Sequence, residues 1–309
     1  MEYPILSASQ VGSLTRIWQK AIHPDLITTD TWDKDLGHVY DLEIGMQEML
    51  LYLYTQQPDL INFLQWANEK ARITETANSI ETDVLSETDI RHWRENGYVV
   101  LREAATKQEH INANKAIWKF LGASPEDPAS WYKQHTAMSG LMVVFTQHEA
   151  LHATRNSTRI RRAFEQLYGN TAIKKIIDKV SFNPPQTDQY TFKGSPLHWD
   201  TSLELPIPER FQGLLYLTNV TETGGAFQCV PGFHRQINEW IDKAPPNIDL
   251  RRYALETLQP VPVPGNAGDL IIWHQALPHC ASANLGQEPR LVQYLTYIPD
   301  NYEDRRAWI

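Results

Sequence analysis

Apolar side chains in the first stretch of the chain fall three and four residues apart. Ile44, Met46, Leu50, Leu51 and Tyr54 keep this spacing, which predicts helices that bury one face. Ser9 stands where it could cap a helix over residues 10–22. A second beginning comes later. Ser86-Glu87-Thr88-Asp89 reads as a capping box ahead of Ile90 and Trp93, Asn96-Gly97 closes that helix, and Tyr98-Val99-Val100-Leu101 reads as a strand. Further helices are predicted over 107–121 and 156–169. Beyond residue 176 the pattern shortens into strands, at 177–183, 189–194, 211–219, 226–230, 258–263, 269–273, 277–281 and 290–298. Asn183-Pro184-Pro185, Gly224-Gly225, Pro231-Gly232, Pro264-Gly265-Asn266 and Asn284-Leu285-Gly286 punctuate them as turns. Many short strands at such intervals predict a β-sandwich or a double-sheet jelly roll. There is no internal repeat.

Charge divides the chain at a similar point. Residues 1–85 carry five basic and thirteen acidic side chains, a net −8, whereas the whole chain of 309 residues carries −9. This supports two parts: a helical N-terminal extension, 1–85, packed on a core of residues 86–309. Phe63 and Trp66 of the extension, with Leu50 and Leu51, need an apolar partner surface. An acidic chain is a poor match for nucleic acid, whose phosphates call for a basic face. No apolar run approaches the ~20 residues that cross a bilayer. The opening Met1-Glu2-Tyr3-Pro4 lacks the basic and apolar stretches of a secretory leader, and the two cysteines, Cys229 and Cys280, form no disulfide framework. A cytoplasmic protein acting on a small molecule is expected, with no nucleic-acid or membrane partner; the oligomeric state is left open.

The chemistry concentrates at His198-Trp199-Asp200. In a strand, residues i and i+2 share a face, so His198 and Asp200 converge while Trp199 points away. One imidazole and one carboxylate are two parts of the 2-His-1-carboxylate triad that binds non-haem Fe(II) and leaves positions open. His279, which follows the buried strand Gly268-Asp269-Leu270-Ile271-Ile272-Trp273, is the expected third ligand. Arg290 can present its fork to the carboxylate of a chelating co-substrate. His274 competes with His279 but is expected to be a packed side chain. His23-Pro24-Asp25 repeats the ligand pattern in a loop setting and is read as a turn. His234 is read as structural. His148 and His152 have metal-binding spacing without a third partner and are expected to be exposed. Trp131 and Trp199 are candidate walls of a substrate pocket. Arg155, Arg159 and Arg162, followed by Lys174, Lys175 and Lys179, are read as a solvated helix face or a partner for the acidic extension, and otherwise as an anion site.

The stretch from Ser86 to Pro299 resembles the phytanoyl-CoA dioxygenase family of Fe(II)/2-oxoglutarate-dependent oxygenases. The likeness is carried by the opening Leu85–Leu101 segment and by His198-Trp199-Asp200. It continues through Gly224-Gly225-Ala226-Phe227-Gln228-Cys229-Val230-Pro231-Gly232-Phe233-His234 and the run Gly268-Asp269…His279…Asn284…Arg290. Phe233 departs from the family's usual Ser, and Ala281 stands where a small polar residue is usual, with Ser282 one place later. The resemblance implies an α+β fold: a double-stranded β-helix core (jelly roll, cupin-like) buttressed by helices. It implies Fe(II) held by His198, Asp200 and His279, which are then catalytic, and 2-oxoglutarate and O2 as co-substrates. Arg290, Ser282 and Asn284 would hold the 2-oxoglutarate. The implied activity is a dioxygenase that hydroxylates, desaturates or cyclises a small metabolite while 2-oxoglutarate becomes succinate and CO2. Related iron halogenases carry Gly or Ala where Asp200 stands. The alternative is a non-catalytic jelly roll that binds or senses metal and 2-oxoglutarate.

Overall fold

The structure is a computed structural model, and it describes residues 3–23, 31–72 and 82–309. The helices α1 (Ala8–Ile22), α2 (Trp32–Asp41), α3 (Met46–Gln56) and α4 (Leu60–Lys70) come first. Next are α5 (Glu87–Asn96), β1 (Tyr98–Leu101), α6 (Lys107–Leu121) and a hairpin of β2 (Met138–Ser139) and β3 (Met142–Val143). The helices α7 (Glu149–Arg155) and α8 (Thr158–Tyr168) lead into β4 (Ile173–Ile176), β5 (Val180–Asn183), β6 (Phe211–Tyr216) and β7 (Phe227–Cys229). The helices α9 (Ile237–Lys243) and α10 (Leu250–Thr257) precede β8 (Val261–Val263), β9 (Leu270–His274), β10 (His279–Ala281), β11 (Arg290–Tyr294) and β12 (Thr296–Pro299).

The strands form an antiparallel seven-stranded sheet in the order β1-β9-β6-β11-β5-β3-β2, a three-stranded sheet β10-β7-β8, and the pair β12-β4. Period-two alternation decides what each face of the large sheet meets. Leu270, Ile272, Leu215 and Leu291 point to the helices, where they meet Trp93, Trp118, Leu151 and Phe164. Their neighbours Ile271, Trp273, Leu214 and Val292 point the other way, onto Phe227, Cys229 and Val263 of the small sheet. The large sheet is thus apolar on both faces, and the site lies between the two sheets. This is the expected α+β class, with helices buttressing antiparallel sheets and further helices at the N-terminus.

The N-terminal helices build a cluster of their own around Leu14, Leu42, Met49, Leu53 and Phe63, and it closes on Ile176 of β4 and Ile298 of β12. Met49 and Leu53 take the inward positions of α3, whereas Leu51 and Tyr54 face solvent. The same seam is polar at its edge. Lys174 lies 3.3 Å from Asp41, Lys175 donates to Glu43, and the Gln147 amide donates to the Glu43 carbonyl at 2.7 Å.

Several boundaries differ from those expected. α1 is capped by Ser7, whose box partner is Gln10, because Gln10 can return a bond to the Ser7 N–H. The helix expected over 156–169 forms as α8, and it starts only after Ser157, which caps it and accepts from Ile160 N–H. Arg155 therefore lies on another helix from Arg159 and Arg162. It is buried and donates to the carbonyls of Thr146 and Asp178. No strand forms over 189–194; Thr187 Oγ1 accepts from the N–H of Gln189 and of Tyr190 and folds that segment into a turn. The strand expected over 290–298 breaks at Leu295, which donates to the Gly213 carbonyl as the chain leaves the large sheet for β4. Gly213 permits this approach, because a Cβ there would sit 2.3 Å from the Leu295 carbonyl oxygen.

Candidate metal centre and co-substrate pocket

The backbone brings His198 and His279 together before any side chain is considered. Each donates its N–H to the other's carbonyl, at 3.0 and 2.9 Å, so the two residues stand directly opposite. Their rings lie 4.6 Å apart. Each ring is then aimed by one contact: His198 Nδ1 lies 2.8 Å from the Pro196 carbonyl and His279 Nδ1 lies 3.1 Å from that of Leu277. A carbonyl only accepts, so Nδ1 bears a proton, and in the neutral ring Nε2 keeps its lone pair. Asp200, two residues past His198, reaches the same spot. His198 Nε2 is 3.6 Å from Asp200 Oδ1, and His279 Nε2 is 3.5 Å from Asp200 Oδ2. The three ligand atoms lie within 4.8 Å of one another.

Electrostatics leave this set ready for a cation. Burial pushes the Asp200 carboxyl up, but the His279 hydrogen bond and charge, the Gln212 amide and His198 outweigh it and hold the group well below the usual carboxylate range. Burial and the neighbouring His279 lower the His198 pKa, which keeps that imidazole neutral at ordinary pH. Two imidazole Nε2 atoms and one ionised carboxylate, gathered on one side, are a donor set that suits non-haem Fe(II) and leaves positions open.

A cavity of about 140 Å³ adjoins the triad and runs to Arg290 on β11. Arg290 is only 2% exposed. Its Nη1 donates to Ser181 Oγ at 2.9 Å, its Nε has no hydrogen-bond partner, and no carboxylate of the described residues pairs with it. A buried cation left so is unfavourable by itself and calls for an anionic ligand. Gly225, at φ +80°, makes room for the Arg290 stem: a Cβ there would lie 3.3 Å from Arg290 Cδ and 2.7 Å from Asn183 Nδ2.

The other expected site residues divide. Ser282 does not line this cavity, but its Oγ is buried without a partner, and its carbonyl is 3.4 Å from the Asn183 amide opposite Arg290. Asn284 is not brought to the cavity. Its amide nitrogen donates to the carbonyls of Asn183 and Glu288 and its oxygen accepts from Gly286, so the side chain is spent on holding the loop. Trp199 is fully buried on the far side, packed on Phe233 and Trp240, with its indole N–H on the Ala276 carbonyl. Trp131 donates to the Ser124 carbonyl and borders a different cavity of about 950 Å³, beside Tyr132 and Tyr190.

Among the remaining histidines, His274 sits among Trp93, Phe211 and His234, and burial, with His234 nearby, pulls its pKa down to about 4. His148 caps α7, and His152 is buried 3.1 Å from Glu43 instead of exposed. His23 precedes residues 24 and 25, which lie outside the described residues. Sequence reasoning passes over Gln212 and Tyr294 and takes Lys179 only with the basic run that follows Arg155; all three line the cavity with the triad. Inward alternation on β6, Gln212-x-Leu214-x-Tyr216, was the available signal for Gln212.

The fold, the triad and the buried arginine define a non-haem iron, 2-oxoglutarate-dependent oxygenase. The family model described as phytanoyl-CoA dioxygenase matches residues 93–292, and the chain belongs to that family. A methylphosphonate hydroxylase of Gimesia maris is 24% identical over 219 residues, 69% of this chain and 80% of that one. A Dictyostelium discoideum relative carrying the family's description is 26% identical over 97 residues, so this chain spans only 27% of its length. In fold, the chain is similar to SnoN, the α-ketoglutarate-dependent epimerase of nogalamycin biosynthesis, at TM-score 0.51 and 20% identity, covering 69% of this chain and 80% of SnoN. The carbocyclase SnoK of the same biosynthesis gives TM-score 0.51 and 21% identity, covering 70% and 85%. No helix among the described residues is long and apolar enough to cross a membrane.

Proposed function

We propose that this chain hydroxylates a C–H bond of a small molecule, coupled to decarboxylation of 2-oxoglutarate to succinate and CO2. The observation that carries the reading is Arg290, a buried cation in the same cavity as His198, Asp200 and His279 that forms no ion pair with a described residue. In this reading the triad holds Fe(II), Arg290 pairs with the far carboxylate of 2-oxoglutarate, and Ser282 Oγ offers it a hydrogen bond. When bound, Fe(II) with 2-oxoglutarate and O2 supplies an oxidant able to take hydrogen from an unactivated carbon. The protein's share is placement. His198 and His279 keep their Nε2 atoms turned inward through backbone contacts, Asp200 stays ionised, and Phe227, Leu214 and Trp273 give the cavity apolar walls. Asp200 occupies the position that halogenases leave for a halide, which favours oxygen transfer.

The β2–β3 hairpin stands between the cavities, with Leu141 and Met142 on the metal side and Met138 on the side of Trp131 and Tyr190. We infer that the larger cavity takes the part of the substrate remote from iron. The Gimesia maris relative, by its name, acts on methylphosphonate, and a small organic acid is accordingly the first class to screen. We read the two facing sheets as a double-stranded β-helix, residues 1–85 as an extension seated on it, and the buried thiols of Cys229 and Cys280 as suited to a reducing cytoplasm.

The test is succinate formation by the Fe(II)-loaded protein in air, with and without candidate acids. His198→Ala, Asp200→Ala and His279→Ala are each expected to abolish it. Metal and 2-oxoglutarate binding without succinate under any condition would favour a sensing protein instead.

A further inference from the structure

Gln212 stands on β6 at an inward position, two residues before Leu214 and four before Tyr216, both of which are core between the sheets. Its Nε2 donates to Asp200 Oδ2 at 2.8 Å, and its Oε1 is buried with no hydrogen-bond partner. The register sets it opposite Trp273, whose indole N–H is also buried and unpaired. An amide half-satisfied in a wall that includes Leu214, Phe227 and Trp273 is a poorer fit than an apolar side chain of the same shape. Its orientation is not arbitrary. Turned over, the amide would set Oε1 against a carboxylate oxygen, two acceptors at hydrogen-bond distance, so the bond to Asp200 leaves Oε1 stranded.

We propose that Gln212 is a positioning residue that fixes the rotation of the Asp200 carboxylate through Oδ2. Held so, the carboxylate keeps Oδ1 3.6 Å from His198 Nε2 and Oδ2 3.5 Å from His279 Nε2, and it cannot rotate away from the two imidazoles without breaking the Gln212 bond. Partners of this kind orient ligands from behind, and their loss commonly weakens metal binding by ~10–100-fold. The inference rests on the reading of Asp200 as a ligand.

The experiment is anaerobic calorimetric titration of Fe(II) into the metal-free full chain. Gln212→Leu is expected to weaken Fe(II) by about 10–100-fold, with the metal-free melting temperature unchanged. Gln212→Met is carried in parallel, so that one misfolded variant does not decide the matter. In an Asp200→Ala background the same substitutions are expected to cost less than about two-fold more, because the residue they act through is gone. Wild-type affinity in both Gln212 variants overturns the proposal. An equal loss with and without Asp200 also overturns it, since that would mark a role in packing. Wild-type affinity in Asp200→Ala alone overturns the ligand reading itself, a separate result.

Discussion

Replacing Arg290 by methionine is expected to separate stability from binding. The ligand-free protein holds this guanidinium at 2% exposure with one hydrogen bond, to Ser181, and no carboxylate. Removing that bond costs about 1.5–3 kcal/mol. Removing a desolvated charge returns several kcal/mol, and the unbranched methionine stem fills much of the same space. The two effects oppose each other, so the ligand-free protein is expected to melt at the same temperature or up to about 5 °C higher. Binding is expected to go the other way. A buried ion pair stripped of one partner loses about 3–5 kcal/mol, roughly a few-hundred- to few-thousand-fold in affinity for 2-oxoglutarate. The assay is thermal denaturation of the Fe(II)-loaded protein under nitrogen as 2-oxoglutarate is titrated. Wild type at about 100 times its dissociation constant gains ~2.7 kcal/mol, and the variant at the same concentration is expected to gain almost nothing. Arg290→Lys is expected to recover only part of the shift, since an ammonium lacks the two-pronged donor. A ligand-free melting temperature lowered by more than about 5 °C, with the 2-oxoglutarate shift intact, would refute this reasoning and make Arg290 a structural residue.

Three other outcomes are expected. His274, held near pKa 4, stays neutral in the fold while it charges in the unfolded chain at about 6.5. It therefore removes up to about 3 kcal/mol of stability as pH falls from 6.5 towards 4, none of it missing above 6.5, and a pH series of urea melts is expected to flatten in His274→Leu. With a turned-over substrate, mass spectrometry is expected to show one oxygen from 18-O2 and no chlorine in saturating chloride; a chlorinated product would refute the role given to Asp200. Deleting residues 1–85 exposes Ile176 and Ile298 and unpairs the Lys174 ammonium, and is expected to lower the melting temperature or the substrate affinity of the remainder; unchanged melting and kinetics would show that the extension is independent.

Much of the site was legible because strand geometry converts short spacing into shared direction, although here His198 makes only an isolated bridge to His279 and no strand runs through Asp200. That rule puts His198 with Asp200, and it sends Trp199 to the opposite face, which is why Trp199 is core and not a pocket wall. His279 required more, since only tertiary pairing sets it against His198; the likeness to a family supplied it. Asn284 shows the limit of such a likeness: a motif position is occupied, but the amide is consumed by its own loop. Gln212 was hidden because an isolated glutamine on a strand resembles any solvent-facing residue until the opposing sheet is known. The fold's boundaries failed at local competitions, Ser7 against Ser9 for a cap, Ser157 separating Arg155 from the helix of Arg159 and Arg162, and Leu295 turning from one sheet to another. Each is decided by a single hydrogen bond that residue periodicity does not register.

The Nδ1 contacts of the histidines sort them into two tautomers. In His198 and His279 this nitrogen faces a carbonyl two residues earlier, so in the neutral ring the proton is on Nδ1 and Nε2 is open. In His135, His148 and His274 it accepts from the N–H two residues later, at 3.1, 3.1 and 3.0 Å, so in the neutral ring the proton sits on Nε2. Those three can bind a metal through Nε2 only by giving up a proton arrangement that the backbone enforces. Selection among the histidines is thus written into the main chain before a metal arrives, and misloading at these other rings is disfavoured without any residue devoted to preventing it.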